Sequence, residues 1–355
     1  MKLLLLSRYG RLGASSRLRS FQYVDLLRSC GWEVDIAPLF TDAYIEALYN
    51  ERSRWRHVIS GYLRRLRVLC RSRAYNLIWL EKELFPYLPA WVEHCLSAMG
   101  IPYIADYDDP VFHLYDNHPN SLIRFALARK IDQVMRHAAT IIAGNQYLAE
   151  RAKSAGAQRV EVIPTVVDIE RYPGANRGEH TRFTIGWIGS PTSSRFLSLI
   201  GPVFAWVTKN FDVRNVAVGA RRSTVKGLPI EVQDWSEKTE VQAIQSFDIG
   251  IMPMPDEPWT RGKCGYKLIQ YMACSLPVIA SPIGVNKEIV DHGLNGFLAG
   301  DRRQWQQYLQ TLIQNKEIRQ EMGAEGRRRV ETWYSLQVQA PRVEALMRES
   351  IHSNK

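Results

Sequence analysis

Small residues and two lysines meet at the predicted start of a helix in the second half of the chain. Gly262, Lys263, Gly265 and Lys267 follow a buried strand and a proline-rich loop, and the helix is predicted to begin near Cys264 or Gly265. Glycines let a ligand approach backbone N–H groups, and the positive end of a helix attracts anions. The combination suits a diphosphate. The alternative is a solvated surface loop, where charge clusters usually lie.

Carboxylates cluster after a predicted buried strand in the first half of the chain, as Asp106-Tyr107-Asp108-Asp109. Carboxylates at this D-x-D spacing can chelate a divalent ion beneath a nucleotide diphosphate. Aspartates ahead of Pro110 equally suit helix capping and turn formation. The residues alone leave both interpretations open.

A glycine turn, Gly10 to Arg17, joins the first predicted strand to a helix and contains Gly13. Such a turn can bring backbone N–H groups and a helix N-terminus up to an anion or a sugar. It can equally be a tight connection that binds nothing.

The segment Glu51–Arg73 holds eight arginines and one glutamate. Its apolar residues recur every three to four positions, which predicts an amphipathic helix with guanidinium groups around an apolar stripe. These residues are Trp55, Val58, Ile59, Tyr62, Leu63, Leu66 and Leu69. The helix could lie on an anionic membrane or bind a polyprenyl diphosphate. Alternatively the stripe packs on the first sheet, and we expect this packing at least in part.

The elements that must position these groups alternate between short apolar runs and amphipathic segments, as in parallel α/β domains. The predicted strands are Leu3–Leu6, Val34–Ala37, Leu77–Leu80, Tyr103–Ala105, Thr140–Ala143, Val160–Ile163, Phe183–Ile188, Val213–Val218, Ile230–Val232, Asp248–Met252 and Val278–Ala280. A break in the pattern over Pro164–Gly178 predicts a linker. We therefore expect two Rossmann-like, doubly wound domains, residues 1–165 and 166–335. A helix over 336–355 should pack back on the first, and ligands should bind in a cleft at the carboxyl ends of the strands.

Length and composition agree with this organisation. The 355 residues exceed what one core usually organises, while 46% hydrophobic and 23% charged residues exclude collagen, coiled coil and disorder. The net charge of +10 favours anionic partners such as phosphates, nucleic acid or acidic lipid.

The cysteines and the first residues of the sequence indicate the cellular compartment in which we expect the protein. Five widely spaced cysteines without a C-x-x-C pair indicate neither a disulfide framework nor a zinc site, which fits a reducing cytosol. Only four consecutive apolar residues precede Ser7, too few for a signal peptide or a spanning helix. We expect a cytoplasmic protein, soluble or peripheral on the inner face of the membrane.

Five blocks follow one another across Val232–Asp301. They are DIGIMP from Asp248, KLIQYMA from Lys267, LPVIAS from Leu276, Gly284 with EIV from Glu288, and GLNGFL from Gly293. In order and spacing they resemble the retaining, nucleotide-sugar-dependent glycosyltransferases of family 4, also called group 1. The resemblance implies the two-domain GT-B fold and transfer of a sugar from a nucleoside diphosphate sugar to a hydroxyl. The acceptor would be a glycan or a lipid-linked molecule, in the synthesis of cell-surface polysaccharide or glycoconjugates.

The resemblance also assigns donor-binding positions. The family's phosphate-binding backbone falls on Gly265, Tyr266 and Lys267, and the turn that opens the second domain falls on Gly189 and Ser190. Further charge would come from Lys263, Lys267 and Arg261. The nucleotide base should lie near Trp235, which could equally be plain core packing.

The family's E-x7-E motif falls on Gly262 and Gln270, so neither glutamate is present in register. The amide of Gln270 could still hold the ribose hydroxyls. Gly262 cannot orient the donor sugar, and Glu257 or Asp256 could reach into the vacated place.

The resemblance bears on the aspartates as well. Asp108 and Asp109 lie where the family commonly places a cleft-facing histidine, so either could bind the acceptor hydroxyl or the donor sugar as a catalytic group. Because this fold neutralises its leaving group with helix dipoles and basic side chains, we expect no metal and no other cofactor.

Three alternatives remain. One is a nucleotide-sugar epimerase on the same fold, and another is a degenerate transferase kept as a partner subunit. The third, a nucleic-acid-binding protein using the arginine helix, is favoured by the net charge, but the sequence has no RNA or DNA motif, and we expect no nucleic-acid partner.

Overall fold

The structure is a computed structural model that describes residues 1–173 and 182–352. Residues 174–178 of the expected linker lie outside this range.

Twelve strands form within the described residues, and every pair is parallel. They are β1 Lys2–Leu6, β2 Glu33–Ile36, β3 Leu77–Glu81, β4 Tyr103–Tyr107, β5 Thr140–Ala143, β6 Val160–Val162, β7 Phe183–Ile188, β8 Val213–Val218, β9 Glu231–Gln233, β10 Ile249–Met252, β11 Val278–Ala280 and β12 Gly296–Leu298. β12 was not predicted as a strand.

Helices connect and cover these strands. They are α1 Ala14–Arg19, α2 Val24–Ser29, α3 Asp42–Tyr49, α4 Trp55–Leu69, α5 Trp91–Ala98, α6 His113–Asp116, α7 Ser121–Leu127, α8 Lys130–His137, α9 Gln146–Ser154, α10 Gly201–Asn210, α11 Glu240–Gln245, α12 Pro258–Arg261, α13 Tyr266–Ala273, α14 Asn286–Ile289, α15 Arg302–Gln314, α16 Lys316–Trp333 and α17 Leu336–His352. Short 3-10 turns cover Phe21–Tyr23, Ser72–Ala74, Ile169–Arg171, Ser193–Ile200 and Arg222–Val225.

The strands build two six-stranded sheets, in the orders β2-β1-β3-β4-β5-β6 and β12-β11-β10-β7-β8-β9. Their central strands are buried along their whole length, as in β3 and β10, because helices cover both faces of a parallel sheet. The predicted fold class, two doubly wound parallel sheets, is confirmed. In both sheets the strand order reverses next to the first strand, and ligands of such sheets bind at the carboxyl ends there.

The chain divides into two compact units, with the change between Thr165 and Val166. The first unit also contains Gly262–Cys264 and the chain from Gln339 onward. In α17, Glu344 accepts a hydrogen bond from the Trp32 indole at 3.0 Å, and Ser350 bonds to Thr140 of β5 at 2.8 Å. The sequence did not predict that residues 262–264 would be part of the first unit.

The arginine-rich segment forms α4, as predicted, but only part of its stripe is packed. Leu69 is buried, and Tyr62 and Val68 pack against the core of the first unit. Four other apolar residues of the helix are exposed, namely Trp55, Ile59, Leu63 and Leu66. The buried face instead includes Arg65, which is 2% exposed. Within residues 1–173 and 182–352, no helix combines the length and apolar character needed to cross a membrane.

Candidate functional site

The start of α13 is shaped by Gly265, which caps the helix with a positive φ of 65°. A side chain there would place its Cβ 2.3 Å from Ile289 Cδ1, so both the backbone and the packing require glycine. Tyr266 and Lys267 are the first two residues of the helix. The first turn of a helix presents N–H groups that lack partners within the helix, so this end of α13 can hold an anion.

Lys267 extends to the turn that follows β7. Its Nζ atom lies 5.5 Å from the ring centre of Trp187. A Cβ built on Gly189 would lie 2.6 Å from Lys267 Cε, so the absence of a side chain at Gly189 makes room for the lysine. Ser190 is exposed, and its carbonyl accepts hydrogen bonds from the N–H groups of Ser193 and Ser194. The structure therefore brings together Gly189 and Lys267, two residues expected at the donor phosphates.

The turn after β8 lies against the turn after β7. Gly219 has a φ of 77°, and a Cβ on it would lie 2.4 Å from Gly189 O and 3.1 Å from Trp235 Cβ. Trp235 is half-buried, and its indole donates to Glu240 Oε2 at 3.2 Å. The ends of β7, β8 and β9 thus place Gly189 and Trp235 on either side of Gly219.

Gln270 lies on α13 but is buried inside the second unit. Its amide nitrogen donates to Tyr172 Oη at 3.0 Å, and 4% of the residue is exposed. The sequence alone could not show this pairing, because Tyr172 lies far away along the chain.

Glu257 directly precedes α12 and Arg261 is its last residue, and both are exposed. Arg261 donates to Asp256 at 2.6 and 3.1 Å, and this guanidinium lowers the pKa of Asp256 through its hydrogen bonds. In this ion pair the charges of Asp256 and Arg261 neutralise each other.

Two arginines that the sequence analysis missed follow β8. The backbone N–H of Arg221 donates to Ser194 Oγ at 3.2 Å, and Arg222 lies 3.9 Å from Asp234. The sequence signal that could have identified them is their position shortly after a predicted strand and Gly219. Both lie on the same edge of the sheet as the Gly189 turn, where Asp234 offsets the charge of Arg222.

A group of buried charges occupies the carboxyl ends of the central strands in the first unit. Lys82 follows β3 with a φ of 67° and is 4% exposed. Its Nζ atom lies 2.9 Å from Asp108 Oδ1, 3.7 Å from Asp109 Oδ2 and 3.9 Å from Glu81 Oε1. The ammonium group also donates to Ser15 Oγ at 3.3 Å. Asp108 and Asp109 are therefore held together by one lysine, which the sequence analysis did not single out.

The ionisation of this group follows from its contacts. Burial alone would raise the pKa of Asp108, but the Lys82 ammonium lowers it to about 2. Burial alone would lower the pKa of Lys82, yet the carboxylates of Asp108, Asp109 and Glu81 raise it above its ordinary value. Asp108 is thus a carboxylate at neutral pH, able to accept hydrogen bonds and unable to donate a proton.

The D-x-D pair does not act as one unit. Asp106 accepts from Arg19 Nε at 2.9 Å, whereas Asp108 faces Lys82. Burial raises the pKa of Asp106 to about 6, although Arg19 opposes that rise. In the part of the chain that the structure describes, no three His, Cys, Asp or Glu side chains converge as a metal site would need.

Lys263 lies in the first unit, with its Nζ atom 3.1 Å from Asp109 Oδ1. Asn145 holds this segment in place, because its amide donates to the carbonyls of Gly262 at 2.9 Å and Lys263 at 3.0 Å. Burial raises the pKa of the neighbouring Cys264 thiol to about 12. The structure places Lys263 at the aspartates, whereas Lys267 lies at the Gly189 turn.

The packing around Gly262 leaves no space for a side chain at this position. Its Cβ would lie 2.7 Å from both Cβ and Cγ of Pro110. The proline that follows Asp109 therefore occupies the space of a residue 262 side chain. This packing gives a physical reason for the absence of a glutamate at position 262.

Introducing the missing glutamate should therefore destabilise the protein. We expect Gly262→Glu to lower the free energy of unfolding by about 1–3 kcal/mol, the usual cost of overpacking a filled site, as measured by urea denaturation. Gly300→Glu is the matched control, because the nearest atom to its Cβ would lie 3.5 Å away. Equal stability of the two variants would contradict the packing argument.

Gly13 caps α1 with extended backbone. Its Cβ would lie 2.3 Å from Tyr9 Cβ, and its N–H donates to Gly10 O at 3.1 Å. The glycine turn is thus a closely packed connection in the first unit, and tight packing is the role that its contacts show.

Comparison with known proteins gives a family match over part of the chain and a fold. Residues 182–315 match the family model described as glycosyl transferases group 1. No curated protein sequence matches the chain significantly.

Solved structures are similar over nearly the whole chain. Sucrose-phosphate synthase from Thermosynechococcus elongatus covers 99% of this chain and 100% of its own, with a TM-score of 0.74 and 15% identity. HepE from Anabaena, in complex with UDP, covers 98% and 100%, with a TM-score of 0.67 and 17% identity. α,α-Trehalose 6-phosphate synthase from Burkholderia multivorans covers 100% of both chains, with a TM-score of 0.67 and 13% identity.

The likeness to these structures shows the GT-B fold. Together with the family match, it supports a glycosyltransferase.

Proposed function

We propose that this protein is a retaining, family 4 glycosyltransferase that moves a sugar from a nucleoside diphosphate sugar to a hydroxyl group. The acceptor is a glycan or a polyprenyl-diphosphate-linked molecule of cell-surface polysaccharide or glycoconjugate synthesis. The observation that carries the proposal is the meeting of the α13 N-terminus and Lys267 with the glycine turn after β7.

The second unit holds the donor in this proposal. The N–H groups of Tyr266 and Lys267 and the lysine ammonium bind the diphosphate, and charge-assisted hydrogen bonds of this kind are the strong ones. Trp235 packs against Gly219, on the side opposite Gly189, and in this proposal its ring bounds the place for the nucleotide base. Arg221 adds positive charge at the same edge of the sheet.

Fixed donors at this position favour departure of the nucleotide. As the bond between the sugar and the diphosphate breaks, negative charge grows on the leaving oxygen. The α13 N–H groups and Lys267 stabilise that charge without having to reorganise. No metal or other cofactor takes part in the proposed reaction.

Asp108 and Asp109 bind hydroxyl groups of the substrate in the first unit. Because Lys82 keeps Asp108 ionised near neutral pH, its carboxylate accepts hydrogen bonds and orients a hydroxyl group. We assign neither aspartate as a covalent nucleophile. Retention then follows when the acceptor oxygen attacks on the face from which the diphosphate leaves, while the leaving diphosphate oxygen takes up the proton of the acceptor hydroxyl.

A panel of nucleotides tests the proposal. UDP, GDP, ADP, CDP and dTDP sugars are compared in thermal unfolding, and one nucleotide class should raise the melting temperature by mass action. UDP-glucose is the first to try, because HepE was also solved with it. Product analysis with a sugar acceptor should then detect transfer with retained anomeric configuration.

The outcomes separate the alternatives. Isomerised nucleotide sugar without transfer would indicate an epimerase. No melting shift with any nucleotide would contradict the donor site and favour a degenerate subunit.

A further inference from the structure

Four large apolar side chains form an exposed row on α4, here called the apolar stripe. They are Trp55, Ile59, Leu63 and Leu66, which are 60, 53, 49 and 48% exposed. Their spacings of four, four and three residues place them on one face of the helix. Scattered exposed apolar residues are ordinary, but a continuous row marks an interaction surface.

The rest of the packing holds the apolar stripe outward. On the buried face of α4, Arg65 Nη2 donates to Ser7 O at 2.6 Å and to Ala37 O at 3.1 Å. The Cβ of a residue replacing Gly61 would lie 2.5 Å from Leu39 O, so the helix packs closely on the backbone there. Rolling α4 to bury the stripe would break the Arg65 hydrogen bonds and the Gly61 contact.

A neighbouring segment extends this apolar surface. Tyr62 of α4 donates to Pro86 O, and its ring lies 5.2 Å from that of Phe85. Tyr87 and Leu88 follow directly and are 51 and 47% exposed. The contacts of Tyr62 therefore hold this second exposed apolar segment against α4.

The helix α4 contains arginines and no acidic residue. Six exposed arginines accompany α4, namely Arg52, Arg54, Arg56, Arg67, Arg71 and Arg73. Arg56 and Arg67 each follow a stripe residue by one position, and Arg56 lies over the Trp55 ring at 5.3 Å. Guanidinium groups beside an exposed tryptophan and leucines are the composition of a helix that lies in the interface of an anionic bilayer.

We propose that α4 and the adjoining residues 86–88 dock the first unit on an anionic lipid bilayer. The apolar stripe inserts at the boundary between headgroups and acyl chains, and the arginines contact lipid phosphates. The positive charge of this face favours an anionic bilayer over a second copy of the chain. An acidic surface complements the arginines, whereas two copies of the same basic face would repel each other. The proposal stands apart from the donor site and requires no nucleotide.

Vesicle flotation with the full chain tests the proposal. We expect binding to vesicles of phosphatidylcholine with 30% phosphatidylglycerol, and at least tenfold weaker binding to phosphatidylcholine alone. Leu63→Gln with Leu66→Gln should weaken binding at least tenfold. Arg56→Glu with Arg67→Glu should weaken it similarly and reduce its dependence on salt.

Exposed leucines of the second unit provide the matched control. Leu199 and Leu294 are 52 and 48% exposed, and changing both to glutamine should leave vesicle binding unchanged. All variants should keep the nucleotide-induced melting shift of the parent, which separates a failure here from a failure of the proposed function.

Two results would overturn the proposal. One is equal vesicle binding by the parent and the Leu63→Gln, Leu66→Gln variant, and the other is no binding of the parent to anionic vesicles. Concentration-dependent self-association that the same variant abolishes would assign the stripe to a second copy of this chain instead.

Discussion

Replacing Lys82 by methionine should lower the free energy of unfolding by about 3–5 kcal/mol. Methionine keeps the length of the side chain but removes the ammonium group that pairs with Asp108 at 2.9 Å. The Lys82 side chain is 5% exposed and that of Asp108 13%, so the carboxylate would remain in a poorly solvated place without its partner. Removing one member of a buried ion pair has this large cost because the other charge is left uncompensated.

Equilibrium denaturation measures this effect against an exposed lysine. Lys2 pairs with Glu33 at 3.3 Å, but the two side chains are 52 and 62% exposed, so Lys2→Met should change stability by about 1 kcal/mol or less. Similar losses from the two substitutions would show that the buried pair is not important for stability.

The same variant should change the response to acid. The pKa of Asp108 is about 2 in the folded protein, below its ordinary value of 3.8. Its stabilising contribution is therefore complete above about pH 4 and is lost as the pH falls towards 2. The difference in stability between the parent and Lys82→Met should narrow over that interval.

Replacing Lys267 by alanine should weaken binding of the preferred nucleoside diphosphate by about 10- to 100-fold. A hydrogen bond to a charged group contributes about 1.5–3 kcal/mol, and Lys267 supplies the ammonium group that lies at the Gly189 turn. The residual affinity should come from the N–H groups of α13, which the substitution leaves in place.

Isothermal titration calorimetry with the nucleotide found in the panel measures the loss. Lys209 is exposed near the end of α10 in the same unit, so Lys209→Ala is the control and should bind like the parent. If Lys267→Ala bound as tightly as that control, the Lys267 ammonium group would not contact the diphosphate.

The sequence predicted most strands because parallel strands are buried on both faces and appear as short apolar runs. Thr140–Ala143 and Phe183–Ile188 were predicted with the bounds that the structure has. β12 was missed because it is three residues long and only Gly296 in it is fully buried. Backbone pairing with β11, rather than an apolar run, makes it a strand.

The elements proposed to hold the donor were more predictable than the charges of the first unit. Gly265, Tyr266 and Lys267 are consecutive at the start of α13, so a local sequence pattern reveals them. Glu81-Lys82-Glu83 looks like a solvated loop in the sequence. Its burial depends on partners from elsewhere in the chain, such as Lys130 Nζ, which lies 2.5 Å from Glu83 Oε2.

The apolar residues of α4 show a further limit. Their spacing predicted the helix, and Leu69 and Tyr62 pack as expected. The spacing of the apolar residues could not show that Arg65 would lie on the buried face of α4. Its burial depends on carbonyl groups from two other segments, which accept its hydrogen bonds. An apolar stripe indicates a face that avoids water, but tertiary structure decides which side of the helix packs inward.

The first unit is assembled from three separate stretches of chain, with residues 262–264 and α17 from Gln339 joining residues 1–165. The two carbonyl groups that accept hydrogen bonds from Asn145 belong to residues 117 and 118 positions later in the chain. The hydroxyl group that pairs with Thr140 belongs to a residue 210 positions later. At roughly 5–20 residues per second, a ribosome needs about 10 to 35 s to pass from Thr165 to Gln339. During that interval β5 lacks its contact with α17, and the incomplete first unit must stay free of aggregation. The last residues of the second unit are therefore synthesised before the last residues of the first unit, although the first unit begins earlier in the chain.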